Sequence, residues 1–109
     1  MKYEKLLPIG SVIRVKGAKD LIMIMGCNQV NLMTKQVFDY SGVLYPMGYT
    51  DDRHVYIFDH ESIETVYSVG YLDEESRAFR QEAVKVNGKL RTGAMSVNEL
   101  LGTGRPWDH

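Results

Sequence analysis

The chain has 109 residues, 44% of them hydrophobic, which supplies one modest core and is too short for a two-domain enzyme. Thirteen Lys and Arg against fourteen Asp and Glu leave a formal charge of −1, so no global field selects DNA, RNA or anionic lipid. The single cysteine, Cys27, cannot form an internal disulfide, and the start MKYEKLLPIG has neither a signal peptide's apolar core nor the length of a membrane span, so the reading is a soluble cytoplasmic chain with no membrane insertion.

Pro8 and Gly10 set an entry turn. Residues 12–16 then alternate, with Ile13 and Val15 toward a core and Arg14 and Lys16 toward water, which predicts a first strand. Gly17 opens a turn, and residues 21–25 are apolar on both parities, as in a strand covered on two sides, with Gly26 marking a bulge. Residues 28–35 extend that strand or form a short one, with Val30 and Leu32 on one parity. Residues 37–45 are aromatic-rich and β-prone, placing Phe38, Tyr40 and Leu44 on one side and letting Gly42 bend the strand. Pro46 and Gly48 end it. After a polar loop at residues 49–53, strand character resumes at 54–58. Asp59 is expected to cap a short helical turn that buries Ile63 and Val66, before a further strand at 65–71.

The clearest helix follows Asp73, a good N-cap, with Leu72 at the staple position and Glu74 and Glu75 in the first turn, where the exposed amides favour negative charge. Phe79, Ala83 and Val86 recur at helical spacing, and Asn87-Gly88 reads as the stop. The expected fold is mainly β with one C-terminal amphipathic helix, an α+β domain over residues 1–88. Its sheet is small, curled and antiparallel, or a partly open SH3-like barrel. Residues 89–109 form a tail, mobile or partner-specific, in which residues 96–101 can make a brief helix.

Chemistry-bearing residues are sparse. His54, His60 and His109 lie near Asp51, Asp52 and Asp59 without the spacing of a zinc or metalloprotease motif, so they read as structural or exposed polar groups. Cys27 follows an apolar run and reads as a small buried hydrophobe. The helix start explains Asp73, Glu74 and Glu75 without acid–base work, and Gly42, Gly48 and Gly70 form no phosphate loop. No catalytic residue, metal or cofactor is expected. Tyr40, Tyr45, Tyr49, Tyr56, Tyr67 and Tyr71 cluster in the strands and loops, and most suit cross-strand packing. Tyr45, Met47 and Tyr49 around the Pro-Gly loop, with Tyr56 alongside, are the candidate protein-binding patch. Stacking on nucleic acid needs basic flanks, and this stretch offers only Arg53.

The ordered landmarks Leu7-Pro8-Ile9-Gly10-Ser11-Val12, Gly42-Val43-Leu44-Tyr45-Pro46-Met47-Gly48-Tyr49, Phe58-Asp59-His60-Glu61-Ser62-Ile63 and Val69-Gly70-Tyr71-Leu72-Asp73-Glu74-Glu75 carry a resemblance. With them the chain resembles a domain-of-unknown-function family of small Gram-positive proteins, typically encoded beside LXG-type toxins of the type VII secretion system. The resemblance covers roughly residues 6–86. It implies a non-catalytic cytoplasmic accessory protein, an adaptor or chaperone-like factor whose protein partner is a secreted effector or its small helical companion. The alternative from the same kind of locus is an immunity or regulatory protein that binds a toxin's catalytic domain. The resemblance carries over no catalytic residue, and an unpaired sheet edge also permits a homodimer.

Overall fold

The alternating and β-prone runs join into one antiparallel sheet in the computed structural model, which describes residues 6–102. Its strands are β1 (Val12–Val15), β2 (Leu21–Asn31), β3 (Gln36–Tyr45), β4 (Val55–Phe58) and β5 (Ile63–Ser68), followed by helices α1 (Glu74–Thr92) and α2 (Val97–Gly102). The spatial order is β4-β3-β2-β1-β5, so β4 and β5 are the two edges of an open, curled sheet. A 3-10 turn at His60–Ser62 joins them, which brings the edges together at one corner. The α+β architecture expected from the sequence is the one that forms. No helix among the described residues is long and apolar enough to cross a membrane.

Ile13, Ile22, Ile24, Tyr40, Phe58 and Ile63, drawn from all five strands, build the core together with Leu6 and Leu7. The β2–β3 register shifts between Ile24 and Gly26, at the predicted bulge, and leaves Met25 partly exposed. Beyond it β2 continues as a single strand to Asn31. Tyr40 has a fully buried ring whose hydroxyl accepts a hydrogen bond from the Leu7 backbone N–H at 2.8 Å, tying the entry segment to the middle of β3.

Asp73 caps α1 as expected, its Oδ1 accepting from Ser76 N–H at 2.8 Å, and the helix packs Phe79, Ala83 and Val84 against the core. Two expectations need correction. The helix does not stop at Asn87-Gly88 but runs to Thr92, and the left-handed residue that ends it is Gly93, with φ of 82°. A glycine inside a helix costs about 1 kcal/mol relative to Ala, and the tertiary bonds of Asn87 and Arg91, described below, hold the helix through it. The helical turn after Asp59 is also shorter than expected. It covers only His60–Ser62, and Ile63 already belongs to β5 because it pairs with Val15. Of the two readings of the tail, a brief helix or a mobile segment, Val97–Gly102 takes the helix, α2, whereas His109 lies outside the described residues.

Gly42 sits in the crowded middle of the sheet, where an added Cβ would overlap the Ile22 side chain and approach the Met23 carbonyl oxygen, a backbone atom that cannot swing away. Gly42→Ala should therefore destabilise the fold by about 1–3 kcal/mol, read as a lower urea midpoint with an unchanged slope.

Candidate protein-binding site

Gly17, with φ of 80°, turns the chain tightly between β1 and β2. The turn stands opposite β4, and between them lies a groove of about 440 Å³. Ile22, Leu44, Tyr56 and Phe58 form its apolar walls, with Lys19 and Asp20 on the rim. Tyr56 faces Gly42 across the β3–β4 pair, so its direct partner on β3 contributes no side chain, and Leu44 is the β3 side chain that lines the groove. The groove lies toward the start of β2, away from Asn28 and Asp39, where α1 is anchored.

The four residues predicted as a binding patch are all accessible: Tyr45, Met47 and Tyr49 on and beside the β3–β4 loop, and Tyr56 on β4. Strand pairing divides them. Tyr56 shares a sheet face with Leu44 and Phe58 and lines the groove, whereas Tyr45, opposite Leu21, points to the other face. The patch therefore wraps the corner where β3 turns into β4 instead of lying on one face. The Tyr49 hydroxyl donates to Asp52 Oδ1 at 2.6 Å, and that bond raises the phenol's pKa.

The polar residues weighed for chemistry are largely engaged with each other. Asp51 accepts from Arg53, through both its backbone N–H and its guanidinium, and pairs with His54 Nδ1 at 2.9 Å. The Arg53 side chain and then His54 hold its carboxyl below the usual range. Cys27 is buried. His60 Nδ1 meets the Tyr40 hydroxyl at 2.6 Å. Among the described residues no group of three or more His, Cys, Asp and Glu side chains is placed to hold a metal ion.

A second cluster escaped sequence reasoning. Asp39 is buried, and its Oδ1 accepts from Asn87 Nδ2 at 2.8 Å and Arg91 at 2.7 Å while its Oδ2 accepts from the His60 backbone N–H at 2.9 Å. Arg91 also reaches Asp59 Oδ1 at 2.7 Å, and Asn28 donates to the Ala83 carbonyl at 2.9 Å. Burial raises the Asp39 pKa, but the His60, Arg91 and Asn87 donors with the Arg91 charge outweigh it and leave the carboxyl below its ordinary value. Asn87 gives its amide hydrogens to Asn28 Oδ1 and Asp39 Oδ1, which fixes its orientation, since the flipped amide would turn an oxygen toward the carboxylate. The one sequence signal was the spacing of Ala83, Asn87 and Arg91, four apart along one side of α1 and in line with the packed stripe. A cleft of about 230 Å³ opens beside Asp39, Asp59, His60 and Arg91, with Glu61 on its edge.

The model of a domain of unknown function, DUF4176, matches residues 6–79. The chain belongs to the DUF4176 family. No curated protein and no solved structure matches it. The DUF4176 match takes in all five strands, and with them both walls of the groove, and it ends at Phe79 inside α1. Asn28, Asp39 and Asp59 fall within the matched region, while Asn87 and Arg91 lie beyond it.

Because the folded-state pKa of Asp39 is depressed, its contribution to stability is fully present above the unfolded-state value near 3.8 and is lost as pH falls through the lower folded value. Asp39→Asn should flatten this acid limb and cost about 3 kcal/mol at neutral pH by leaving Arg91 and its neighbours without the charge they enclose. Urea unfolding of both proteins between pH 7 and pH 2 measures the two effects together.

Proposed function

We propose that this DUF4176 protein is a non-catalytic accessory protein that binds another protein through the groove beside β4 and the adjoining Tyr45, Met47 and Tyr49. The groove carries the reading. It opens at the end of the sheet that α1 does not reach, with Leu44 and Tyr56 partly exposed beside the buried Ile22 and Phe58, and its rim continues into exposed large side chains. Tyrosine gains contact area at low entropic cost and the flexible methionine side chain adapts to the surface it meets, so such a surface gains more from a protein than from solvent.

The resemblance to proteins encoded beside type VII secretion toxins supports a class of partner: a secreted effector toxin or one of its small helical companions, met in the cytoplasm by an adaptor or chaperone-like factor. Such work needs a shaped surface and no bond-breaking chemistry, which agrees with polar side chains that bond largely to one another in and around the sheet. An immunity protein would use the same kind of surface against a toxin's catalytic domain, and the identity of the bound domain separates the two readings.

Co-purification of the tagged protein from its native host identifies the bound chain, and a binary assay with that chain's isolated N-terminal region tests direct contact. Stoichiometric binding there, weakened at least about tenfold by Tyr45→Ala, Met47→Ala, Tyr49→Ala and Tyr56→Ala combined, is the expected result. Unchanged affinity in that variant, with its thermal unfolding intact, sinks the proposed surface. Binding confined to a toxin's C-terminal domain transfers the protein to the immunity reading.

A further inference from the structure

We propose that the groove takes an extended segment of the partner, added as a further strand along the outer edge of β4, with apolar side chains at alternate positions and basic residues on either side of them. The inference rests on the protein-binding reading and specifies what is bound. Among the described residues nothing pairs with the outer side of β4. Its four residues, Val55, Tyr56, Ile57 and Phe58, include none of the charges, prolines or glycines that usually guard an edge. The other edge differs. β5 carries Glu64, which pairs with Arg14 at 3.2 Å, and Tyr67, whose hydroxyl accepts from Arg14 Nε at 3.3 Å. One edge is charged and engaged, and the other is apolar and unpaired.

A strand laid along β4 continues the pleat, so every second residue falls on the face of Tyr56 and Phe58, over the groove, while its main chain meets the outward N–H and C=O groups of β4. A helix can fill the groove but leaves those backbone groups without partners. Charge sets the flanks. Asp20 stands on the rim, Asp51 and Asp52 precede β4, and Asp59 and Glu61 follow it; Asp51 is paired with Arg53 and Asp59 with Arg91, so the carboxylates outside those pairs, Asp20, Asp52 and Glu61, stand against Lys16 and Lys19. Arg91 is committed to Asp39 and Asp59. This frame attracts a segment with cationic ends and opposes a second copy, because antiparallel pairing of β4 with itself brings Asp51 and Asp52 toward Asp59 and Glu61.

The test is fluorescence anisotropy with the full chain and four synthetic peptides. The first alternates valine and threonine between paired lysines, the second replaces those lysines by glutamates, and the third and fourth are the lysine peptide with alternate backbone amides N-methylated along one edge and along the other. The lysine peptide should bind at least about tenfold tighter than the glutamate peptide, by a margin that shrinks as salt rises. N-methylation of the edge facing β4 should cost about tenfold or more. Asp52→Asn with Glu61→Gln should narrow the lysine preference while leaving the thermal midpoint in place. Equal binding of the lysine and glutamate peptides, or indifference to methylation on either edge, overturns the inference. If the captured partner still binds and still depends on Tyr56, only the strand model has failed; if the partner fails as well, so has the protein-binding reading. Two further outcomes also overturn it: a dimer in sedimentation that Tyr56→Lys abolishes, or a gain in peptide affinity on deleting residues 103–109, which would make the chain itself the occupant.

Discussion

A buried carboxylate is expensive unless several donors converge on it, and at Asp39 the donors come from the 3-10 turn and from two turns of α1. Each donor constrains the element that supplies it. The His60 N–H fixes the corner where the β4 and β5 edges meet, and Asn87 and Arg91 fix the rotation of α1 about its axis. Asn28, across the β2–β3 ribbon, locks the helix along its length by holding the Ala83 carbonyl. Apolar contacts at Phe79 and Ala83 are tolerant of small rotations and slides. The hydrogen bonds to Asp39 are not, because donor–acceptor distances near 2.8 Å leave little room to move.

That fixed placement has a consequence at the other end of the sheet. α1 is anchored beside Asn28 and Asp39, so it does not reach the stretch that carries Ile22, Leu44 and Tyr56, and those side chains face the groove. Covering the groove as well would take a second amphipathic element, and the sequence between β3 and β4 supplies a loop instead, with Pro46 and Gly48 ending one strand and Asp51 capping the 3-10 turn before the next. Site and scaffold thus share one cause. The polar cluster holds the helix where it is, and the groove is the surface that this position leaves uncovered.

Local signals were legible in the sequence and long-range ones were not. Alternation gave β1, Gly26 gave the bulge, and Asp73 gave the start of α1, since each depends on neighbours within a few residues. Asn87-Gly88 misled for the same reason. The dipeptide has the chemistry of a helix stop, but Asn87 spends its amide on Asn28 and Asp39, which stand 59 and 48 residues away in sequence. Asp59 looked like a cap because Asp is a good cap. Its Oδ1 accepts instead from the Asp39 N–H at 3.1 Å and from Arg91. Asp39, one residue from inward-facing Tyr40, has the parity of a solvent-facing position, and long-range contacts from α1 and from the His60 turn enclose it. The tyrosine patch was legible as a composition and not as a surface, because strand pairing sends Tyr45 and Tyr56 to opposite faces.

The two clefts then differ in what remains for a ligand. Beside Asp39 the carboxylates and Arg91 are already joined, so a polar ligand there has to compete with bonds that hold the helix in place. Each exchange would replace a preorganised internal hydrogen bond by an external one, with the entropy of association still to be met. In the groove no such exchange arises. Its walls are apolar and in contact with water, and each Å² covered returns about 25 cal/mol without breaking an existing bond. Binding at the groove therefore works with the fold, whereas binding beside Asp39 works against it, and this difference favours the groove over the Asp39 cleft as the proposed recognition surface.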